Sequence, residues 1–249
     1  LPRYCFEGDN FSLWSYIDIH GNWTSPWIRS TAGLTDVAHK NGVSVGCVMS
    51  IPYGNTVYPS RWSYDNYGRI LYQLTQKKNG KFVYAEPLVR MMKFYGINGI
   101  GFNSEFHTSA SSMTLLSDFF VACHKEAEKI NWKFEVHWYD GTGDDGHIHF
   151  DGGLGYHNQK IFGDKDNIAT DMLFANYNWG PNHLSGSVST AKRLGRSSFD
   201  YYAGFDIQGR GLRQASWSAL LDNDISIGFW GAHKQSLIHQ SATDNGTSD

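Results

Sequence analysis

The chain has 249 residues, of which 41% are hydrophobic and only 18% charged, and its formal net charge is −3. That balance suits a sizeable folded core and excludes a disordered, highly charged chain. Lys and Arg are scattered rather than clustered, so there is no basic footprint for nucleic acid, and no stretch is long enough to span a membrane.

Strand-like and helix-like segments alternate along the chain. "WSYIDIHGNW" (14–23) reads as a strand, and "TAGLTDVAHKNG" (31–42) as a helix with Gly42 as its C-terminal stop. "VSVGCVMSI" (43–51) is a second strand of small and β-branched residues. The polar, aromatic stretch 52–80 is expected to be a loop excursion. "FVYAEPLVRMMKFYG" (82–96) is amphipathic and stops at Gly96, ahead of a third strand, "INGIGFNSEF" (97–106). Apolar residues at helical spacing over several turns make 111–131 a long helix. "WKFEVHWYD" (132–140), a short "HIHFDG" (147–152), "DMLFANYNW" (171–179), "FDYYAGFDI" (199–207) and "DISIGFW" (224–230) bring the total to about eight strands. Short helices around 187–194 and 212–221 separate the last three.

This alternation predicts an α/β fold, a parallel (β/α)8 TIM barrel. Residues 1–249 are expected to form one catalytic domain, mature or trimmed from a longer chain. A doubly wound open sheet is the rival, but "IHGNWTSP" after the first strand is no Gly-rich phosphate loop. Three widely spaced cysteines, Cys5, Cys47 and Cys123, give neither a disulfide scaffold nor a metal or redox motif. Compartment is left open: a secreted or cell-envelope location is favoured and a cytoplasmic one allowed.

In a parallel barrel, chemistry gathers at the C-terminal ends of the strands. Several strands here end on polar or aromatic residues: Asn103 and Glu105; Trp138, Tyr139 and Asp140; Asn176, Tyr177 and Trp179; Asp206; Trp230. Any one of these is ordinary strand-end trim or a helix cap. Their convergence on one rim favours a cleft. Asn103 and Glu105 are two apart and share one side of the strand. A carboxyl among Trp, Tyr and Phe is poorly solvated, which raises its pKa and suits it to donate a proton. A two-carboxylate glycosidase would pair Glu105 with Asp140 or Asp206. The residue beside Glu105 is instead an amide, which can orient a substrate's own acetamido group. Asp144, Asp145, His147, His149 and Asp151 crowd together, but at the spacing of no established metal signature, so a polar loop is expected there.

These residues resemble the family 85 glycoside hydrolases, endo-β-N-acetylglucosaminidases acting on N-glycans, over nearly the whole chain. "YIDI" (16–19) and "DVAHKNGVSVGCV" (36–48) are similar to that family's first strand and the unit that follows. "YGINGIGFNSE" (95–105) is similar to its catalytic strand, which carries Asn-x-Glu, and "VHWYDG" (136–141), "ANYNW" (175–179) and "GFDIQGRG" (204–211) to later strand ends. The resemblance implies a (β/α)8 barrel that cleaves the β-1,4 bond between the two core GlcNAc residues, with retention and without a cofactor or metal. It implies that Glu105 is the general acid and base. It also implies that Asn103 and Tyr139 hold the acetamido group while an oxazoline forms. Trp138, Phe150, Asn176, Trp179, Asp206 and Trp230 are the expected lining of the sugar cleft. Phe150 falls where the family often has Trp, and "GAHKQ" after Trp230 departs from its usual ending. The expected partner is an N-linked glycan or glycoprotein met by a monomer. A catalytically inactive glycan-binding barrel is the rival from another class.

Overall fold

The computed structural model describes residues 13–24, 28–30, 32–51, 71–211 and 216–232. Seven strands make one sheet in strict chain order: β1 (Ile19–Trp23), β2 (Ser44–Ile51), β3 (Gly99–Ser104), β4 (Glu135–Tyr139), β5 (Met172–Phe174), β6 (Tyr201–Asp206) and β7 (Ser226–Trp230). Every neighbouring pair is parallel. The crossovers carry α1 (Ala32–Lys40), α2 (Ala85–Phe94), α3 (Ala110–Lys129), α4 (Gln159–Phe162), α5 (Pro181–Arg193) and α6 (Trp217–Leu221). Trp23, ending β1, meets Trp230, ending β7, with ring centroids 5.1 Å apart at 74°. The first and last strands therefore approach each other and the sheet curls into a TIM-barrel-like fold.

Alternation along the strands sorts the side chains into two layers. Outward-facing Ile100, Phe102, Val136, Trp138, Leu173 and Tyr201 are buried against the helices; Phe102 and Trp138 lie 5.3 Å and 6.2 Å from Phe120 of α3. The inner layer is filled by few large side chains set against glycine. A Cβ on Gly46 would come within 3.1 Å of the His137 ring, and one on Gly228 would meet Phe174. Helix ends follow the sequence signals. Ser109 Oγ accepts the N–H of Ser112 at 3.2 Å to start α3, and Gly42 and Gly96 take left-handed φ values of 75° and 69° after α1 and α2.

Three expectations are corrected. Residues 147–152 form no strand; a lone bridge joins Thr142 to Ile148, and Phe150 (φ 53°) and Gly152 (φ 68°) break the extended backbone. The described sheet thus has seven strands rather than eight. The first strand is shorter than 14–23, because Trp14–Tyr16 is a 3-10 turn. The helix expected at 187–194 starts six residues earlier, at Pro181, whose fixed φ and missing N–H suit a first helical position. Cys47 and Cys123 are buried free thiols; Cys5 lies outside the described residues. So do residues 52–70 of the expected loop, 212–215 of the expected last helix, and the end of "GAHKQ" from residue 233. The described end of that loop holds a helical turn and the hairpin Lys77–Lys78 with Lys81–Phe82.

Candidate active site

The site is assembled where β3, β4, β5 and β6 end. Asn103 has the parity of Gly99 and Gly101, whose missing Cβ atoms would meet inner-layer groups, so it belongs to the inner face. After Ser104 the chain leaves the strand in a tight turn, with Glu105 N–H donating to Asn103 O at 2.9 Å. That turn is clamped from β4. Ser104 Oγ donates to Tyr139 O at 2.5 Å, and the N–H of Thr142 donates to Ser104 O at 2.6 Å. Thr142 Oγ1 accepts the N–H of Phe106 at 3.1 Å and lies 2.8 Å from Ser104 O and 2.6 Å from Phe106 O, to one of which it donates. The residues on both sides of Glu105 are thus fixed by one buried threonine.

Across the mouth, Tyr139 OH donates to Asn176 Oδ1 at 2.8 Å. Its ring lies 6.0 Å from Phe150 and 6.3 Å from Tyr177. Burial raises the Tyr139 hydroxyl well above the usual phenol range, and the nearby Tyr177 and Glu105 add to that. Tyr177 is raised too, by burial first and then by the charges of Asp206 and Glu105. Both tyrosines are therefore held as neutral hydroxyls within the field of Glu105. Asp206 ends β6 and accepts the N–H of Gly209 at 2.9 Å, while Arg210 lies 3.8 Å from its carboxylate and 5.4 Å over the Tyr177 ring.

Asp140 has a different task. It is 3% exposed and accepts from Gly152 N (2.6 Å), Asn158 Nδ2 (3.0 Å) and Asn176 N (3.4 Å). Burial, only partly offset by those donors, pushes its carboxyl up to about 7. It ties the loop that follows β4 to the end of β5, and its oxygens are committed to that. A rim built this way, with Glu105 just after Asn103 on β3 and the neutral Tyr139 on the adjoining strand, suits proton transfer to a neutral polar substrate.

The sequence model of Glycosyl hydrolase family 85 matches residues 5–242. The chain belongs to this family. It is 28% identical over 206 residues to a cytosolic endo-beta-N-acetylglucosaminidase of Gallus gallus, covering 81% of this chain and 25% of that protein. A protein of the same name from Homo sapiens is 26% identical over 207 residues, with 81% and 25% covered. The family 85 chain thus spans about a quarter of the length of the curated relatives it matches. Among solved structures, the Endo-D glycoside hydrolase domain of Streptococcus pneumoniae R6 superposes with a TM-score of 0.75 at 24% identity, covering 96% of this chain and 36% of that one. A family 18 chitinase of Flavobacterium johnsoniae gives 0.53 at 12% identity, over 94% and 91%. Both likenesses concern the fold.

In the family 85 chain, Glu105, Tyr139, Phe150, Asn176 and Asp206 come together at one rim, and Asn103 precedes Glu105 on the inner face. Trp138 does not join them. It is fully buried, its Nε1–H donates to Thr142 O at 3.2 Å, and it packs among Phe102, Phe106 and Phe120. Adjacent strand residues point to opposite faces, so Trp138 and Tyr139 cannot both face the cleft. Trp179 is half-buried over the end of β6, donating to Gly204 O at 2.7 Å with its edge on Phe205. Trp230 lies at the seam with Trp23. Sequence reasoning missed Thr142 and Arg210 as site components, and named Tyr177 at the rim without giving it a role. Tyr177 and Arg210 were legible as polar residues in strand-end segments, whereas nothing local marks Thr142.

Proposed function

We propose that this family 85 domain is a retaining endo-β-N-acetylglucosaminidase that cleaves the β-1,4 bond between the two core GlcNAc residues of N-glycans. The reading rests on Asn103 and Glu105 at the C-terminal end of β3, next to the strand that ends on Tyr139, in a chain of this family. The names of the curated relatives, cytosolic endo-beta-N-acetylglucosaminidases, support it. Glu105 protonates the glycosidic oxygen as the bond to the anomeric carbon breaks. The substrate's own acetamido oxygen attacks that carbon and closes an oxazoline, so the protein supplies no nucleophile. Asn103 orients the acetamido group, and the neutral Tyr139 hydroxyl contacts it. Glu105, now ionised, takes a proton from the incoming water, which opens the oxazoline with net retention. Phe150, Asn176 and Asp206 line the sugar cleft in this reading.

The buried, triply hydrogen-bonded Asp140 is unsuited to be a second catalytic carboxylate. The relatives' names support a cytosolic setting and lend none to a secreted or cell-envelope one. No described helix is long and apolar enough to cross a membrane. Incubation with a defined N-glycoprotein, followed by mass measurement, tests the proposal. A single GlcNAc left on Asn is expected; an intact GlcNAc pair left on the protein overturns it.

A further inference from the structure

The polar loop between β4 and α4 gathers differently from its sequence. Asp144 turns away to accept the N–H groups of Lys160 and Ile161, each at 2.8 Å. His147 turns toward His107, with ring centroids 5.6 Å apart. In their place comes His157, from the far end of the loop. It stacks on His149 with centroids 3.8 Å apart and planes within 7° of parallel. His157 Nδ1 is 2.9 Å from Asp151 Oδ2, and His149 Nε2 is 2.9 Å and 3.0 Å from the two oxygens of Asp145. One donor atom from each of His149, Asp151 and His157 lies within 4.8 Å of the other two.

We propose that His149, Asp151 and His157 form a binding site for a single divalent ion of the zinc class, with Asp145 orienting the His149 ring. Two imidazoles and one carboxylate are the donor set that late first-row ions take, whereas calcium and magnesium require oxygen. A tetrahedral ion with ligands at about 2.1 Å holds its donors about 3.4 Å apart, and an imidazole donates within its ring plane, so closing on one ion takes side-chain rotations that part the His149–His157 stack. There is room for these, since the side chains of His149, Asp151 and His157 are 23%, 30% and 37% exposed, which also lets the ion enter. A carboxylate on the second nitrogen of a ligating imidazole fixes its tautomer and makes it a better donor, and Asp145 is set for that role.

The backbone is prepared as well. Gly143 passes so close that an added Cβ would lie 2.8 Å from His149 Cδ2 and 2.6 Å from His157 O. Phe150, between two of the ligands, is held at φ 53°, a conformation that a bulky residue adopts only under constraint, with its carbonyl accepting from Asn178 Nδ2 at 2.8 Å. The ion would brace the loop that brings Phe150 to within 6.0 Å of Tyr139. The proposed bond cleavage does not pass through it, and the site stands whether or not that reaction is the right one.

Zinc chloride titrated calorimetrically into protein stripped with EDTA and dialysed tests the site. One ion per chain is expected. Affinity should fall at least tenfold in His149→Ala and in His157→Ala, about 10–100-fold in Asp145→Asn, and not at all in His147→Ala. Circular dichroism checks each fold, and Asp151→Asn, which keeps the side-chain shape, serves if a histidine variant unfolds. Failure of the parent to bind at millimolar zinc, or unchanged uptake in the folded His149, His157 or Asp151 variants, overturns the proposal.

Discussion

In the proposed mechanism Glu105 and Asn103 carry separable duties, and substitution should separate them. Glu105→Gln keeps the size and shape of the side chain but removes the proton donor, so cleavage of natural glycans should vanish while the melting temperature holds. Near-parental turnover in a folded variant would end the assignment. In that mechanism Asn103 matters while the oxazoline is being made. Loss of a polar contact specific to that transition state costs on the order of 3 kcal/mol, about a hundredfold in rate. Asn103→Ala should therefore cripple hydrolysis of intact glycan, yet still transfer sugar from a preformed oxazoline to a GlcNAc acceptor with Glu105 as base. If both reactions fall together, or a mechanism-based label lands on Asp206, the substrate-assisted route is wrong. At this scale the sequence was readable where parity along a strand sufficed, as for Asn103. It misled where the strand end was read as a block: Trp138 and Tyr139 are neighbours in sequence and opposites in space.

The ends of β3 and β4 act as one unit through Thr142, whose hydroxyl holds the backbone on both sides of Glu105. Thr142→Val keeps the volume and removes those bonds, leaving buried groups short of a partner at a cost of about 1–3 kcal/mol. The expected result is a lower melting temperature together with a fall in kcat at nearly unchanged KM, both restored by Thr142→Ser. A variant that melts early but turns over normally would make Thr142 merely structural. Element type and order were legible because hydrophobic spacing and the stops at Gly42 and Gly96 are local signals. The start of α5 was not, since the polar run 181–186 lacks an apolar stripe and is helical through Pro181 and through Leu184 buried in tertiary contact. Nor was the shape of the loop at 141–158, which is set by a remote anchor: Asp140 holds Gly152 and Asn158 from beneath.

For the molecule as a whole, the lower interior of the barrel holds an acid-sensitive carboxylate, Glu135. Burial alone would raise the Glu135 carboxyl, but His137 at 3.4 Å and Lys133 at 2.7 Å outweigh it and lower it from 4.5 to about 2. A folded value below the unfolded one stabilises in full above pH 4.5 and is lost as pH falls toward 2. The loss is at most about 3 kcal/mol, and less because Lys133 is 66% exposed and screened. Urea unfolding between those limits should therefore be less pH-dependent in Glu135→Gln than in the parent; equal dependence would remove Glu135 from the account. The glycine-lined inner wall bears on how such a barrel can drift. The three atoms nearest a methyl on Gly228 all belong to the Phe174 side chain, whereas one on Gly204 would strike the backbone oxygen of Ala175. Gly228→Ala should destabilise alone and recover when combined with Phe174→Leu, while Gly204→Ala finds no such companion. Positions 174 and 228 are thus free to wander, but only as a couple and only by crossing a valley of lowered stability, while position 204 has no partner to wander with.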